Sequence, residues 1–161
     1  MKGRVSSTKQ RGKAEQIIAD FSQHTFEAAD DFYFDAADDV IFYNPNQLHT
    51  PRGLMSLLHE VAHAELAHFD YRSDLELFAM ETQAWNKTRE LAIERDIACS
   101  DHYIEQCLAS YSRWIDARST CPVCTNFSLQ TDSTTYHCFS CKTRWHIQES
   151  ADMRVRRVRL N

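Results

Sequence analysis

The segment Thr50-Pro51-Arg52-Gly53-Leu54-Met55-Ser56-Leu57-Leu58-His59-Glu60-Val61-Ala62-His63-Ala64-Glu65-Leu66 specifies a helix and a chemistry together. Thr50 fits a helix N-cap, and Pro51 fits the first helical position, where its missing N–H costs nothing. Leu54, Leu57, Leu58, Val61, Ala62 and Leu66 then recur at helical spacing. Apolar residues occur almost all round, which predicts a buried helix. Within it stands an H-E-x-x-H run. His59 and His63 lie four apart, so both imidazoles point toward one spot, where a Zn2+ ion can sit. Glu60 projects beside that spot, placed to take a proton from a water.

Downstream, Asp74 fits the cap of a helix running to about Arg95, with a stripe of Leu77/Phe78, Ala84/Trp85 and Leu91/Ala92. Glu81 falls in the middle of that stripe. A carboxylate on a buried face is costly unless it is paired or bound to metal, so Glu81 is the expected third ligand. Three protein ligands leave one tetrahedral position for water, the arrangement of a catalytic zinc. The chemistry this suggests is peptide hydrolysis, with Glu60 carrying the proton to the leaving amine. For an oxyanion donor, His68, Tyr71, Arg89, His102 and Tyr103 stay open. His68 lies five after His63, so it drifts off the ligand face and reads as a surface residue or one behind the ligands. The alternatives for the whole site are a buried polar network without metal and a metal-binding relic without activity.

A second motif closes the chain. Cys121-Pro122-Val123-Cys124 and Cys138-Phe139-Ser140-Cys141 are two C-x-x-C knuckles separated by thirteen residues. That spacing is the sequence form of a zinc ribbon. Four thiolates leave no open position, so Cys121, Cys124, Cys138 and Cys141 are expected to hold a structural zinc. At about 10–16 kcal/mol of apparent binding energy, such an ion can hold a module too small for its own core. Disulfides are the other reading, disfavoured in a reducing compartment. Cys99 and Cys107 read as buried apolar residues of the fourth helix.

The remaining elements follow from local pattern. Ser7 or Thr8 fits the cap of a first helix through about Phe26, with Ile17, Ile18 and Phe21 on one side. Phe32-Tyr33-Phe34 and Val40-Ile41-Phe42-Tyr43 read as two strands joined by an Asp-rich turn. The second precedes the histidine helix and is expected to accept an extended peptide as an added strand. A fourth helix, capped by Ser100 or Asp101, carries Ile104, Cys107, Leu108, Tyr111, Trp114 and Ile115 at helical spacing.

A chain of 161 residues fits one domain, or a domain with a small appendage. Three glycines and three prolines argue for a helix-rich chain with few long loops. No apolar run approaches the roughly 20 residues of a membrane span. Met1 to Lys13 is basic but lacks the apolar centre of a secretory signal, so the expected location is cytoplasmic. The net charge of -5 divides unevenly, as +5 over residues 1–13, -13 over 14–118 and +3 over 119–161. An acidic body is a poor nucleic-acid binder, which leaves that affinity to the two basic ends. Arg144-Trp145 and the tail Arg154-Val155-Arg156-Arg157-Val158-Arg159 would supply cations and a ring for base stacking. The favoured reading of the tail is a last ribbon strand with one charged face.

The stretch Leu57 to Ala92 resembles the gluzincin-type metallopeptidases, in which H-E-x-x-H on one helix is completed by a glutamate on the next. In the ImmA/IrrE-like branch that second helix carries E-x-x-A, which Glu81-Thr82-Gln83-Ala84 matches. The resemblance implies His59, His63 and Glu81 as ligands and Glu60 as general base. The layout resembles that of SprT-like proteases, short H-E-x-x-H proteins that end in a zinc ribbon. Their third ligand is a histidine followed four residues later by tryptophan, where Glu81 and Trp85 stand here. The expectation is therefore an α+β chain: a basic arm over 1–13, a mostly helical minimal zincin-like domain with a short antiparallel sheet over 14–118, and a zinc ribbon with a basic tail over 119–161. Two zinc ions and a protein or peptide substrate are expected, with no membrane. The alternative is a non-catalytic regulator or adaptor that binds protein or nucleic acid through the ribbon.

Overall fold

The computed structural model of the chain describes residues 2–149 and 155–160, and of residues 2–8 and 149 the backbone alone. The fold is α+β, with helices α1 (Lys2–Asp20), α2 (Pro51–Glu65), α3 (Asp74–Glu94) and α4 (Asp101–Ser119). Strands β1 (Thr25–Ala28), β2 (Tyr33–Asp35) and β3 (Val40–Tyr43) form one sheet. Strands β4 (Leu129–Gln130), β5 (Thr135–His137), β6 (Arg144–Glu149) and β7 (Val155–Leu160) form another. By packing, the chain divides into two units, Met1–Asp70 with Met80–Asp101, and Tyr71–Ala79 with His102–Asn161.

In the first unit, α2 is the buried helix its apolar pattern demands. Leu54, Leu57, Leu58 and Val61 are fully enclosed, in one core with Ile17 of α1, Ile41 of β3 and Leu91 and Ala92 of α3. Thr50 caps α2 in extended conformation and accepts a hydrogen bond from the Gly53 N–H at 2.9 Å. Gly53 is obligatory, because a Cβ there would collide with the Gln47 carbonyl.

The first helix differs from its expected span. Its backbone is helical from Lys2, so Ser7 and Thr8 lie inside it, and it stops at Asp20. Residues 25–28 instead form β1, parallel to β3 with Phe26 opposite Ile41. The short-range pattern could not reveal this, since a parallel partner lies far along the chain. The antiparallel pair β2–β3 is present, with Phe34 opposite Ile41, and the parallel strand makes the sheet mixed. Strand β3 is central, so both its edges are taken and it cannot accept a peptide as an added strand.

In the second unit, Ser73 rather than Asp74 caps α3, its Oγ accepting from the Glu76 N–H at 3.2 Å. Asp74 is drawn elsewhere: its carboxylate takes Arg118 Nε at 2.8 Å and the Tyr136 hydroxyl. Arg118 also donates to the Ser133 carbonyl at 2.9 Å and lies over the Trp114 ring. The small core beside them consists of Cys121, Tyr136, Cys138, Trp145 and Ile147. The tail forms β7 along β6, but with cations on both faces: Arg157 and Arg159 stand opposite Ile147 and Trp145, and Arg156 opposite Gln148. Arg154 lies outside the described residues. On α4, Ile104 is buried and the rest of its stripe half-buried. Cys107 lies on that stripe, whereas Cys99 precedes the helix and packs against the first unit's core. Among the described residues, no helix is long and apolar enough to cross a membrane.

Candidate metal centres

The i, i+4 spacing on α2 places His59 Nε2 and His63 Nε2 3.2 Å apart. Glu81, seven residues into α3, brings its two carboxylate oxygens to 3.2 Å from His59 Nε2 and 3.4 Å from His63 Nε2. Ligand atoms around a tetrahedral zinc at about 2.0–2.1 Å lie roughly 3.3–3.4 Å from one another, so this triad fits a single ion without rearrangement. His59 and Glu81 are buried and His63 half-buried. His59 stacks on Trp85, with ring centroids 3.9 Å apart, and its Nδ1 is buried without a hydrogen-bond partner. Burial lowers the pKa of His59. Burial alone would raise that of Glu81, but hydrogen bonds from His59 and His63 outweigh it and hold the carboxylate at about 2. Neutral imidazole and ionised carboxylate are the forms that bind metal.

Glu60 keeps part of its side chain open, yet desolvation lifts its carboxyl to about 7. The charge of His63 and the Phe34 N–H of β2 pull the other way, and Glu81 adds to the rise. Of the residues open as oxyanion donors, Arg89 is engaged with Asp101 at 2.9 Å. His68 has turned onto His63, their Nδ1 atoms 3.0 Å apart, a contact the drift of an extended helix did not foresee. Tyr71, His102 and Tyr103 fall in the second unit.

The four cysteines converge in the second unit. Cys121 Sγ lies 3.5 Å from Cys141 Sγ, and Cys124 Sγ 3.4 Å from Cys138 Sγ. Both separations are far beyond the roughly 2.05 Å of a disulfide and a little short of the roughly 3.8 Å expected between thiolates on one zinc. The two knuckles are the same turn built twice. Cys121 N–H donates to the Asn126 carbonyl and Cys138 N–H to the Thr143 carbonyl, each at 2.9 Å. Thr125 N–H returns to Cys121 O and Lys142 N–H to Cys138 O, with φ of 62° and 64° at Thr125 and Lys142. Backbone N–H groups, that of Cys141 foremost, lower the Cys138 thiol to about 5. The arrangement is that of a possible zinc ribbon, and both clusters are compatible with zinc.

Trp145 is fully buried, its ring 5.5 Å from Tyr136 and its Nε1 donating to the Arg118 carbonyl. It is therefore a core residue and not a platform for a nucleic-acid base. No family model, curated protein or solved structure matches the chain.

Proposed function

We propose that this chain is a zinc-dependent metallopeptidase that hydrolyses peptide bonds in a protein substrate. The observation that carries the reading is the convergence of His59, His63 and Glu81, whose ligand atoms lie within 4.8 Å of one another, with Glu60 next along the same helix. The gluzincin-like order of these residues supports it. Bound zinc would lower the pKa of water and polarise a carbonyl. His59 and Glu81 are buried, with Trp85 closing one face of the His59 ring. Glu60 accepts a proton from the attacking water as the new C–O bond forms, and passes it to the departing nitrogen as C–N breaks. The ribbon serves to bring the enzyme to its target.

Elemental analysis of the whole chain tests the metal. Wild type should carry two zinc ions, and His59→Ala one. Glu60→Gln should keep both ions and the fold while losing all cleavage of an unfolded protein such as casein. Cleavage retained by that variant would remove Glu60 from its role.

A second reading, a non-catalytic adaptor, is favoured by the ribbon's surface. Phe127, Leu129 and Phe139 are 72%, 61% and 59% exposed and would offer apolar contacts to a protein partner. Two bound zincs with no cleavage by the wild type would turn the assignment to this adaptor.

A further inference from the structure

The end of α2 is built in a way that returns the chain onto its own ligand. Leu66 is the C-cap and Ala67 adopts a left-handed φ of 53°. The Ala67 N–H then bonds the Ala64 carbonyl and the His68 N–H bonds the His63 carbonyl, both at 3.1 Å. These are the two crossed bonds of a Schellman motif. Its reversal carries the His68 ring beside that of His63, with centroids 5.1 Å apart and planes at 67°.

The protons along this contact can be placed one by one. His63 Nδ1 and His68 Nδ1 are 3.0 Å apart, so one proton lies between them. His63 Nε2 faces His59 and Glu81 and must be bare to act as a ligand. With a metal in place of the Nε2–H bond to Glu81, the proton of His63 sits on Nδ1, and His68 Nδ1 accepts it. His68 then carries its own proton on Nε2, which lies 3.3 Å from Gln83 Oε1. Gln83 is two residues beyond Glu81 on α3, so the element that brings the carboxylate also anchors the relay. A free neutral imidazole prefers its proton on Nε2, and this chain of contacts reverses that preference. His59 is held differently, by its stack on Trp85, with no partner at Nδ1.

We propose that His68, anchored by Gln83, is a positioning residue that fixes the ring and tautomer of His63 so that Nε2 is presented to metal. The proposal rests on the reading of His59, His63 and Glu81 as a metal site. Groups behind a ligand histidine usually form such a support, and losing one costs about 10- to 100-fold in metal affinity.

The test uses full-length wild type, His68→Leu and His68→Asn. The side-chain oxygen of asparagine falls near the place of histidine Nδ1 and can accept the same proton. Zinc affinity of the weaker site is measured by chelator competition, and the His63 Nδ1 proton is followed by nitrogen-15 NMR of the zinc-loaded chain. His68→Leu should bind that zinc about 10- to 100-fold more weakly and lose the Nδ1 proton signal to rapid exchange, while keeping the zinc at the cysteines. His68→Asn should recover most of both. Wild-type affinity with an undisturbed signal in His68→Leu would overturn the proposal while leaving the metal site in place. An asparagine variant as weak as leucine would overturn it too. A wild type that holds zinc at the cysteines alone would remove the metal reading and this proposal together.

Discussion

His24 shows how a single side chain can join distant parts of the first unit. Its Nδ1 lies 2.8 Å from Asp39 and its Nε2 3.1 Å from Glu65, so the charged ring donates to two carboxylates from opposite edges. Burial works against the charge, but the two bonds and the two negative charges outweigh it and raise the pKa above 6.5. The folded chain thus holds this proton more tightly than the unfolded one. Its contribution to stability is fully present below about pH 6.5 and fades as pH rises through the folded-state value. His24→Gln should therefore destabilise more at pH 6 than at pH 8.5, measured as urea midpoints. An equal loss at both would mean that the ring acts by packing. At the same scale, Glu81 was legible because a carboxylate in an apolar stripe needs a reason. Base stacking by Trp145 stayed open in the sequence because nothing local distinguishes an indole in a core from one on a surface, and its burial closes that option.

Among the elements, α2 was the most legible and its end the least. Cap, proline and apolar spacing are all local signals, and the structure honours each. The termination is not of that kind, since the residue in the left-handed position is Ala67 where glycine is the usual choice. Left-handed alanine costs roughly 1–2 kcal/mol, offset in part by the roughly 0.4–1 kcal/mol of unfolded-chain entropy that glycine would add. Ala67→Gly should accordingly raise the melting temperature by a few degrees and leave zinc binding intact. A fall would mean that the Ala67 methyl is held by packing. The reversal also decides between the two readings of His68, surface or behind the ligands: a residue five beyond His63 meets it again only because the helix stops.

At the scale of the whole molecule, the two units rest on different physics. The first encloses helices and a sheet around a continuous apolar core. The second has five buried residues in its cluster, two of them cysteines. So small a core cannot offset chain entropy alone, whereas a four-thiolate zinc contributes about 10–16 kcal/mol. The Asp74–Arg118–Tyr136 cluster would add order to a zinc-bound ribbon but not replace an ion there, because its buried charges repay little beyond their own desolvation. A strong chelator should first remove the zinc of the three-ligand site with little change in circular dichroism. Removing the second ion should then abolish the near-ultraviolet signal of the stacked Tyr136 and Trp145. Retention of that signal in zinc-free protein would show that the ribbon stands without metal.

What the sequence by itself determined is whatever depends on neighbours a few residues apart. The start of α2, the common face of His59 and His63, the out-of-place charge of Glu81 and the two cysteine knuckles all have that range. Tertiary structure alone decided the parallel pairing of β1 with β3, the central position of β3 and the turn of His68 onto His63. It also decided the burial of Trp145 and the diversion of Asp74 from capping to Arg118. The division has one physical cause. Helical spacing and tight turns are set by bonded geometry over a few residues, whereas strand partners, buried rings and ion pairs are chosen by surfaces that meet only when the chain has folded.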